Sequence, residues 1–428
     1  MGLLVFNDMQ TPSSQHLPKR EARVARAVAE GLASVGQRGW MVGGTVRDLA
    51  RGAAPRDVDM ATAATPEQVE AAFPHTISVG RAFGTVLVIQ DGLEVQVTTF
   101  RSESGYSDAR RPDVVTYGSS AEEDASRRDF TCNAIFLDPL NDEVLDPENG
   151  LADLEAGVLR CVGDPERRFR EDGLRLLRMA RFEASLGLLP AEGLHAAARG
   201  AGEALRGVSP ERVYHELSRM LCGPNSRRAI GILVECGLLE RVLPRGAGAA
   251  DDAALLALDL LDQPIGLARG MALLCDPDPA APFDTALAAD GKARLQELRA
   301  SRVLMERVRE QWRLRREALL ASAEGVPISR RIRAVRSPEW LEALSLARAW
   351  RVVDGGSTQA LDALAQWAAG LEEHQLSPEP MLSASDLESS GIERGRRWGE
   401  LLEEAESRQL DGELTDREAA LAWLAEQS

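Results

Sequence analysis

The pattern of apolar and polar positions divides the chain into two parts with different periodicities. Apolar residues recur at helical spacing over residues 20–36, which predicts an amphipathic helix. From 38 to 140, short apolar runs alternate with turn residues, which predicts a small mixed sheet. After about residue 150 helical periodicity continues almost throughout, and Pro and Gly residues separate the helices. The sequence therefore predicts an α+β fold, in which a sheet-containing N-terminal head is followed by an elongated all-α remainder.

The composition is that of a soluble globular protein and excludes several other classes. Of the 428 residues, 44% are hydrophobic and 27% are charged. The longest apolar runs are far shorter than the roughly 20 residues that span a bilayer, and the start, MGLLVFNDMQ, lacks the basic region of a signal peptide. The five cysteines include no CxxC pair, which argues against a disulfide framework or a zinc site. We therefore expect a cytoplasmic protein with no membrane partner.

The charges of the chain give two opposite indications. A net charge of −17 at pH 7 argues against a nucleic-acid partner, because phosphate binding favours a basic surface. The arginines, however, fall into local groups at 127–128, 167–181, 302–316 and 330–336. The last group has few acidic residues near it in the sequence, which favours a contact with an RNA backbone. Whole-chain charge averages over surfaces that never meet a ligand, so a nucleic-acid partner stays open.

A glycine pair followed by two alternating aspartates is the most informative segment. Gly43 and Gly44 follow an apolar run, where they permit a tight turn whose amide groups can face a triphosphate. Asp57 and Asp59 are two positions apart, so on a strand both carboxylates point to one face, where Mg²⁺ would neutralise their repulsion. An isolated DxD is also typical of a solvated turn, but its position after a glycine turn favours a metal site. Glu94, on a later strand, is either a third ligand or a solvated residue.

A second motif, RRDFTCNA at residues 127–134, carries candidate nucleotide contacts. Arginine guanidinium groups such as that of Arg128 bind phosphate oxygens, whereas Asp129 or Asn133 can hydrogen-bond to ribose hydroxyl groups. The alternative interpretation is an internal salt bridge beside a strand.

A third segment contains an acid and an arginine three positions apart, Asp172 and Arg175. On one helix these side chains lie next to each other. A carboxylate acceptor beside a guanidinium donor matches cytosine and adenine, which offer an amino group next to a ring nitrogen, and mismatches guanine and uracil. Buried polar groups left without partners cost about 1–3 kcal/mol each, which is enough to select a base. The alternative is a plain ion pair on a helix.

Together these motifs resemble those of the class II CCA-adding enzymes, tRNA nucleotidyltransferases that share a superfamily with bacterial poly(A) polymerases. The resemblance covers residues 20–245 and rests on GGTVRD, RDVDMAT, VTTFR, YSDARRPD, RRDFTCNA, RFREDGLRLLRMARF and ERVYHEL. It implies that Asp57 and Asp59 are catalytic and hold Mg²⁺. It also implies that nucleotide binding involves Gly43, Gly44, Arg47, Arg128, Asp129, Asn133, Asp172, Arg175, Arg178 and Arg181.

The resemblance also implies a domain organisation. Residues 1–150 would form a nucleotidyltransferase head, 151–245 a helical neck with base recognition, 246–345 a helical body, and 346–428 a helical tail that binds tRNA. In some relatives the body region is an HD-type metal phosphohydrolase. Here no histidine lies between residues 216 and 373, so we expect a degenerate region without that activity. In the neck, Arg212 and Glu216 are expected to pair, since they are four positions apart.

One position departs from the family pattern. Relatives usually carry Glu where this chain has Gln96, and a neutral amide is a poor metal ligand. The third metal ligand therefore stays open, with Glu94 two residues away on the same face.

The resulting hypothesis is a template-independent enzyme that adds CCA to the 3′ end of tRNA. Its substrates would be tRNA, CTP and ATP, its cofactor Mg²⁺, and its by-product pyrophosphate, and no protein partner is implied. One alternative is an A-adding tRNA nucleotidyltransferase or a poly(A) polymerase, which has the same chemistry and a different product. The second is a non-catalytic RNA-binding protein, suggested by Gln96 and the missing histidines.

Overall fold

The chain folds into two compact units, Met1–Pro244 and Arg245–Ser428. A computed structural model describes residues 9–78, 84–104, 114–117, 120–243, 251–262, 265–276 and 285–427. Within these ranges, no helix is long and apolar enough to cross a membrane.

A mixed sheet lies at the centre of the first unit, as the apolar pattern predicts. The described strands are β1 (Gly39–Val42), β2 (Asp59–Thr62), β3 (Thr76–Ile77), β4 (Thr85–Gln90), β5 (Leu93–Thr99), β6 (Arg101–Ser104), β7 (Val114–Tyr117), β8 (Phe136–Leu137), β9 (Val144–Leu145), β10 (Val158–Leu159) and β11 (Leu189–Pro190). Seven of them form one sheet in the order β3-β4-β5-β2-β1-β8-β9. β2 and β5 pair in parallel, and their neighbours in this sheet pair antiparallel.

Aromatic packing anchors β1 at the middle of this sheet. The rings of Trp40 and Phe100 each meet the edge of Phe136, with centroid separations of 6.4 and 6.2 Å. All four residues of β1 are buried. The strand therefore ends at a defined point, Val42, and the glycine pair follows directly.

Eleven described helices accompany the sheet in the first unit. They are α1 (Lys19–Ser34), α2 (Gly44–Ala50), α3 (Pro66–Ala72), α4 (Ala121–Ser126), α5 (Gly150–Glu155), α6 (Pro165–Glu171), α7 (Leu174–Leu186), α8 (Leu194–Gly200), α9 (Pro210–Leu221), α10 (Ser226–Glu235) and α11 (Leu239–Val242). The predicted amphipathic helix is α1, which buries Val24, Val28 and Leu32 along one face.

The segment predicted to be one helix around Asp172 is instead broken into α6 and α7. Asp172 follows α6 with an extended backbone, φ −146° and ψ 104°. Gly173 precedes α7, and a Cβ there would lie 2.3 Å from the carbonyl oxygen of Ala204. Only glycine permits this close approach of two backbone segments, so the break is built into the packing.

The described residues of the second unit contain helices and no strands. The helices are α12 (Asp251–Asp259), α13 (Leu267–Leu274), α14 (Thr285–Glu297), α15 (Arg302–Ala321), α16 (Ile328–Val335), α17 (Trp340–Val353), α18 (Gln359–Ala369), α19 (Glu373–Leu376), α20 (Ala384–Ser389), α21 (Arg396–Leu410) and α22 (Arg417–Ala425). The predicted class, α+β with a helical remainder, is thus confirmed.

Two of the predicted domain boundaries can be set beside the described packing. The two units divide at Pro244, next to the predicted boundary at residue 245. The predicted head and neck both lie in the first unit, and the boundary between them stays a prediction. The predicted boundary at 345/346 falls inside α17, whose Trp340 and Leu344 share a core cluster with α15 and α18. A separate core cluster begins at Leu382. A continuous packed helix therefore crosses position 345/346, and the start of the tail stays a prediction.

The arginine groups of the second unit are largely engaged in ion pairs within it. These pairs are Arg302–Glu306, Arg307–Glu339, Arg313–Glu310, Arg315–Asp276, Arg330–Glu317 and Arg336–Glu406. Arg333 also donates hydrogen bonds to the Glu403 carbonyl oxygen and to the Ser407 hydroxyl. Few acids lie near residues 330–336 in the sequence, but the fold brings Glu317 and Glu406 to them from other segments.

Candidate active site

The turn after β1 brings the glycine pair close to an arginine of the RRD motif. Gly43 has φ +65° and ψ −129°, and α2 begins at the next residue. This backbone region strains any residue with a side chain. A Cβ at Gly43 would also lie 3.5 Å from Nη1 of Arg128. The turn thus requires glycine at this position, and it holds the backbone of Gly43 beside a guanidinium group.

A threonine in the same turn connects it to both aspartates. The Thr45 hydroxyl donates to the Asp57 carbonyl oxygen at 3.0 Å and accepts from the Asp59 amide at 3.1 Å. Val58, between the two aspartates, is buried, whereas Asp57 is exposed and Asp59 half-buried. Asp57 lies in a bend before β2 and not on the strand, unlike the expected placement of both aspartates on one strand, but its charge still acts on the Asp59 carboxyl.

The aspartate pair has the charge and chemistry of a hard-cation site. Burial raises the pKa of the Asp59 carboxyl, the nearby Asp57 charge raises that pKa further, and Arg128 acts in the opposite direction. Carboxylate oxygens are the ligands that Mg²⁺ prefers, and one or two carboxylates suffice when substrate phosphates complete the coordination. Asp57 and Asp59 therefore have the oxygen ligands and the negative charge that would hold a divalent cation.

The neighbouring strand β5 presents an amide and an acid beside this pair. In the parallel register, Gln96 stands directly opposite Asp59. Glu94 lies two residues earlier on the same exposed face and pairs with Ile89 of β4. Within the described ranges, no three His, Cys, Asp or Glu side chains group as a metal site. The structure therefore does not bring Glu94 together with the aspartates, and the residue nearest to Asp59 across the strands is the neutral Gln96.

The two arginines of the RRD motif are held by one buried carboxylate. Asp124, on α4, is fully buried and pairs with both Arg127 and Arg128. Burial alone would raise the pKa of Asp124, but the two guanidinium groups hold it below its usual value. Arg128 also donates to the Asn133 carbonyl oxygen at 3.2 Å. Its guanidinium is thus oriented from two sides, beside Gly43.

Four predicted nucleotide-binding residues form a continuous hydrogen-bonded chain. Arg47 donates to Oδ1 of Asn133 at 2.8 Å, and Nδ2 of Asn133 donates to Oδ1 of Asp129 at 3.1 Å. Arg178 then donates to Oδ2 of Asp129 at 2.6 Å. Burial by itself would raise the pKa of Asp129, but Arg178 and the hydrogen bonds lower it to about 2. These hydrogen bonds join α2, the RRD segment and α7 into one polar site.

The aromatic ring of Phe182 lies against three of the predicted nucleotide-binding arginines. The guanidinium carbons of Arg47, Arg178 and Arg181 lie 5.3, 5.1 and 4.1 Å from the centroid of the Phe182 ring. Cation–π attraction of this kind contributes about 0.5–1 kcal/mol at exposed sites and more when desolvated. Phe182 thus helps to keep several like charges close together.

Asp172 and Arg175 do not form the ion pair that the alternative interpretation of this segment offered. The Asp172 carboxylate accepts from Arg212 of α9, whereas the buried Arg175 donates to Glu171 and to the carbonyl oxygens of Arg168 and Arg127. The physical reason is the break between α6 and α7, which removes the helical geometry that an i, i+3 pair requires.

The expected pairing of Arg212 with Glu216 is wrong. Glu216, buried on α9, accepts from Nε of Arg181 at 2.5 Å. Glu216 of α9 therefore pairs with Arg181 of α7, and Arg212 of α9 pairs with Asp172. Neither arginine pairs with an acid on its own helix. The consequence is that α7 and α9 are joined by charged contacts beside the Asp129 chain.

The structure thus brings together Gly43, Arg47, Arg128, Asp129, Asn133 and Arg178, with Asp59 electrostatically coupled to Arg128. Sequence reasoning missed Thr45, Asp124 and Phe182. The position of Thr45 between the motif residues Gly44 and Arg47 could have indicated a role in the site. Its hydrogen-bond partners, however, are 12 and 14 positions away in the sequence. Asp124 and Phe182 carry no local signal that distinguishes them from ordinary helix residues.

Comparisons of the sequence with known proteins match the first unit. Residues 39–160 match the family described as the poly A polymerase head domain, and residues 190–248 match the probable RNA and SrmB-binding site of polymerase A. The CCA-adding enzyme of Lactobacillus helveticus is 42% identical over 218 residues, which are 51% of this chain and 54% of that enzyme. The CCA-adding enzyme of Geobacillus stearothermophilus is 42% identical over 54% of this chain and 57% of its own length. In sequence, the chain spans little more than half the length of these relatives.

Comparisons of the fold extend over nearly the whole chain. The Bacillus stearothermophilus CCA-adding enzyme in complex with CTP has a TM-score of 0.73 and 29% identity, covering 96% of this chain and 98% of that one. The Thermotoga maritima CCA-adding enzyme complexed with tRNA has a TM-score of 0.69 and 20% identity, covering 96% and 97%, and shares the fold. The resemblance stated from the motifs is supported: the chain is similar in sequence to CCA-adding enzymes over its first unit and similar in fold to them over nearly its whole length.

Proposed function

We propose that this protein adds CCA to the 3′ end of tRNA from CTP and ATP, without a template and with release of pyrophosphate. The observation that carries the proposal is the position of Arg128, which lies beside Gly43, interacts with the charge of Asp59 and reaches the Asn133 segment. A cation-binding acid pair and an anion-binding arginine group are therefore adjacent, as transfer of a nucleotidyl group requires.

In the proposed reaction, the 3′-hydroxyl of tRNA attacks the α-phosphate of the nucleotide. A bond forms between the 3′-oxygen and the α-phosphorus, and the bond from the α-phosphorus to the bridging oxygen of the β-phosphate breaks. Pyrophosphate leaves with that electron pair, and the proton of the hydroxyl passes to solvent. A divalent cation such as Mg²⁺, held by Asp57 and Asp59, would lower the pKa of the hydroxyl and offset charge on the leaving group. Arg47 and Arg128 would bind the triphosphate oxygens, since planar guanidinium groups suit that geometry.

Asp129 and Asn133 are proposed to bind the ribose. Asp129 is ionised, because its pKa of about 2 lies far below neutral pH, and it can accept a hydrogen bond from a hydroxyl group. Arg178 holds the carboxylate in place at 2.6 Å, and Arg181 with Glu216 braces the neighbouring turn of α7. Gly44 would complete the turn that faces the phosphates.

Selection of C and A over G and U is assigned to Asp172 and Arg175. Asp172 would supply the acceptor for an exocyclic amino group, and Arg175 the donor for the ring nitrogen. The contacts of Arg212 add a constraint: its guanidinium holds the Asp172 carboxylate in one orientation. A base that presents a carbonyl oxygen to Asp172 would leave two acceptors facing each other, which is unfavourable.

One assay tests the proposal. Three tRNA transcripts, ending before CCA, after the first C and after CC, are incubated with Mg²⁺ and CTP, ATP or both, and the products are sized by denaturing gel. We expect complete CCA synthesis on the shortest transcript and none with Asp57→Ala. Extension of the CC-ended transcript alone would replace the proposal with A-addition, and long A tails would replace it with a poly(A) polymerase. No incorporation, with Asp57→Ala indistinguishable from the parent, would leave a non-catalytic RNA-binding protein.

The second unit is proposed to bind the body of the tRNA, and the reaction to take place in the cytoplasm. Support comes from the solved Thermotoga relative, whose fold is shared over this unit and which is a complex with tRNA. Truncation after residue 380 would test the role of the tail, since we expect a raised KM for tRNA with little change in KM for CTP.

A further inference from the structure

A buried threonine outside the acid pair contacts the backbone of both aspartates. Thr45 is 1% exposed, and its hydroxyl makes two hydrogen bonds of ordinary length, to the Asp57 carbonyl oxygen and from the Asp59 amide. One side-chain atom thus contacts the backbone of both residues that carry the carboxylates.

We propose that Thr45 is a positioning residue that holds the Asp57 and Asp59 backbone in the geometry needed to bind the divalent cation. This inference rests on the proposed function, because it gives a role to Thr45 only if the aspartate pair binds a cation. It adds a residue that touches neither the substrate nor the cation, and acts through the two that do.

The geometry explains why a hydroxyl group is needed here. Asp57 lies just before β2 and is exposed, so the sheet ladder does not hold its backbone, whereas Asp59 is the first residue of β2. Regular strand geometry therefore begins in the backbone between these two residues. A hydroxyl that donates to Asp57 and accepts from Asp59 holds this backbone segment in place. Because Thr45 is buried, water cannot replace the hydroxyl.

The position of Thr45 also links two parts of the site. It lies in the second position of α2, directly after the glycine pair, and Arg47 of the same helix donates to Asn133. The segment that carries the arginine contacts and the segment that carries the acids are thereby held to each other through one hydroxyl group. A shift of one segment would be transmitted to the other.

Three variants separate this role from a general loss of packing. Thr45→Val keeps the shape and removes both hydrogen bonds, and Thr45→Ser keeps the hydroxyl and removes a methyl group. Thr99→Val is the matched control, since Thr99 is equally buried in the same unit and donates to the Ala64 carbonyl oxygen, outside the acid pair. All three are compared by thermal melting and far-UV circular dichroism, so that an unfolded variant is recognised.

The primary measurement is binding of Mn²⁺, followed by the electron paramagnetic resonance signal of the free ion, with full-length protein. Loss of a group that orients metal ligands typically weakens metal affinity by about 10–100-fold, so we expect a rise in Kd of at least about tenfold for Thr45→Val. Thr45→Ser should stay within about threefold of the parent, and Thr99→Val should equal the parent even if it melts earlier. In the nucleotide-addition assay, Thr45→Val should lower kcat and leave KM for CTP nearly unchanged.

The possible outcomes distinguish the role of Thr45 from the cation site and from the proposed function. Parent-like Mn²⁺ binding by Thr45→Val would overturn the role of Thr45 and leave the proposed function intact. Equal losses in Thr45→Val and Thr99→Val would also overturn it, because any buried threonine would then have the same effect. If the parent protein binds no Mn²⁺, both the cation site and the role of Thr45 fail, whatever the activity assay gives.

Discussion

Arg212 donates two hydrogen bonds to the carboxylate of Asp172, from Nη1 at 3.2 Å and from Nη2 at 2.8 Å. This fork-like contact crosses from α9 to the break between α6 and α7. Both side chains are partly exposed, 34% and 21% respectively, so the pair is accessible to a ligand. A bidentate arginine fixes the direction of a carboxylate as well as its charge, which suits a carboxylate that reads the edge of a base.

We predict that Arg212→Met relaxes base selection. With no guanidinium to orient it, the Asp172 carboxylate is free to rotate, and the energetic difference between a matched and a mismatched base falls. A loss of about 1–2 kcal/mol corresponds to a decrease of about 5–30-fold in the ratio of kcat/KM for CTP to that for UTP. The measurement is single-nucleotide addition to a tRNA transcript that lacks CCA.

Arg206→Met is the control for this variant. Arg206 is an exposed, ion-paired arginine of the same unit, bound to Glu203, and its loss removes the same charge away from Asp172. An unchanged CTP-to-UTP ratio in Arg212→Met, or an equal change in Arg206→Met, would contradict the assignment.

Gln96→Glu is predicted to strengthen cation binding. Gln96 stands opposite Asp59 in the β2–β5 register, so the new carboxylate adds a negative charge next to the acid pair. A charge at about 4 Å contributes about 1 kcal/mol even at the dielectric constant of water, which corresponds to a decrease of about fivefold in the Kd for Mn²⁺. Glu94→Gln should stay within about twofold of the parent. A larger loss in Glu94→Gln than the gain in Gln96→Glu would instead identify Glu94 as the third ligand.

Gly43→Ala is predicted to lower both stability and activity. The strained backbone at φ +65° costs about 1–3 kcal/mol for a residue with a side chain, and the new methyl group would meet Arg128. Gly163→Ala is the matched control, because Gly163 has φ +70° and open space around its Cβ position. We expect similar losses in the free energy of unfolding for both variants, and a loss of activity of at least about tenfold for Gly43→Ala alone. Equal activities would show that the close approach of Arg128 is not needed.

Asp129 is predicted to contribute to stability at neutral pH and to lose that contribution in acid. Its folded-state pKa of about 2 lies below the ordinary value of 3.8, so the carboxylate stabilises the fold above pH 4. The contribution is lost as the pH falls from about 4 to 2. The shift corresponds to about 2 kcal/mol at neutral pH.

The test is the free energy of unfolding in urea at several pH values between 7 and 2. Asp129→Asn should be less stable than the parent at pH 7 and should show a shallower fall between pH 4 and 2. Arg178→Met should raise the pKa of Asp129 and reduce the same fall, since its guanidinium lowers that pKa. A parent-like pH dependence in Asp129→Asn would refute the role of this carboxylate.

Local patterns were sufficient for much of the site. The glycine pair carries its geometric consequence within a few residues, so the tight turn at Gly43, with its positive φ, agrees with expectation. Asp59 lies on a strand as expected, whereas Asp57 lies in the bend before it. The change from short apolar runs to helical periodicity near residue 150 likewise marks the end of the seven-stranded sheet, after which the described residues contain no strands except the short pair β10 and β11. Such features depend on neighbouring residues, and alternation and helical spacing report them directly.

The partners of the charged residues were decided by the tertiary fold. Asp172 pairs with Arg212 and Glu216 with Arg181, because the break at Gly173 and the packing of α7 on α9 bring these groups together from 40 and 35 positions apart. Helical spacing instead favoured Asp172 with Arg175 and Arg212 with Glu216, since it counts only neighbours on one helix. Long side chains reach partners by position in space. The amino-acid sequence therefore determined which chemical groups this protein carries, and the folded chain determined which of them face each other.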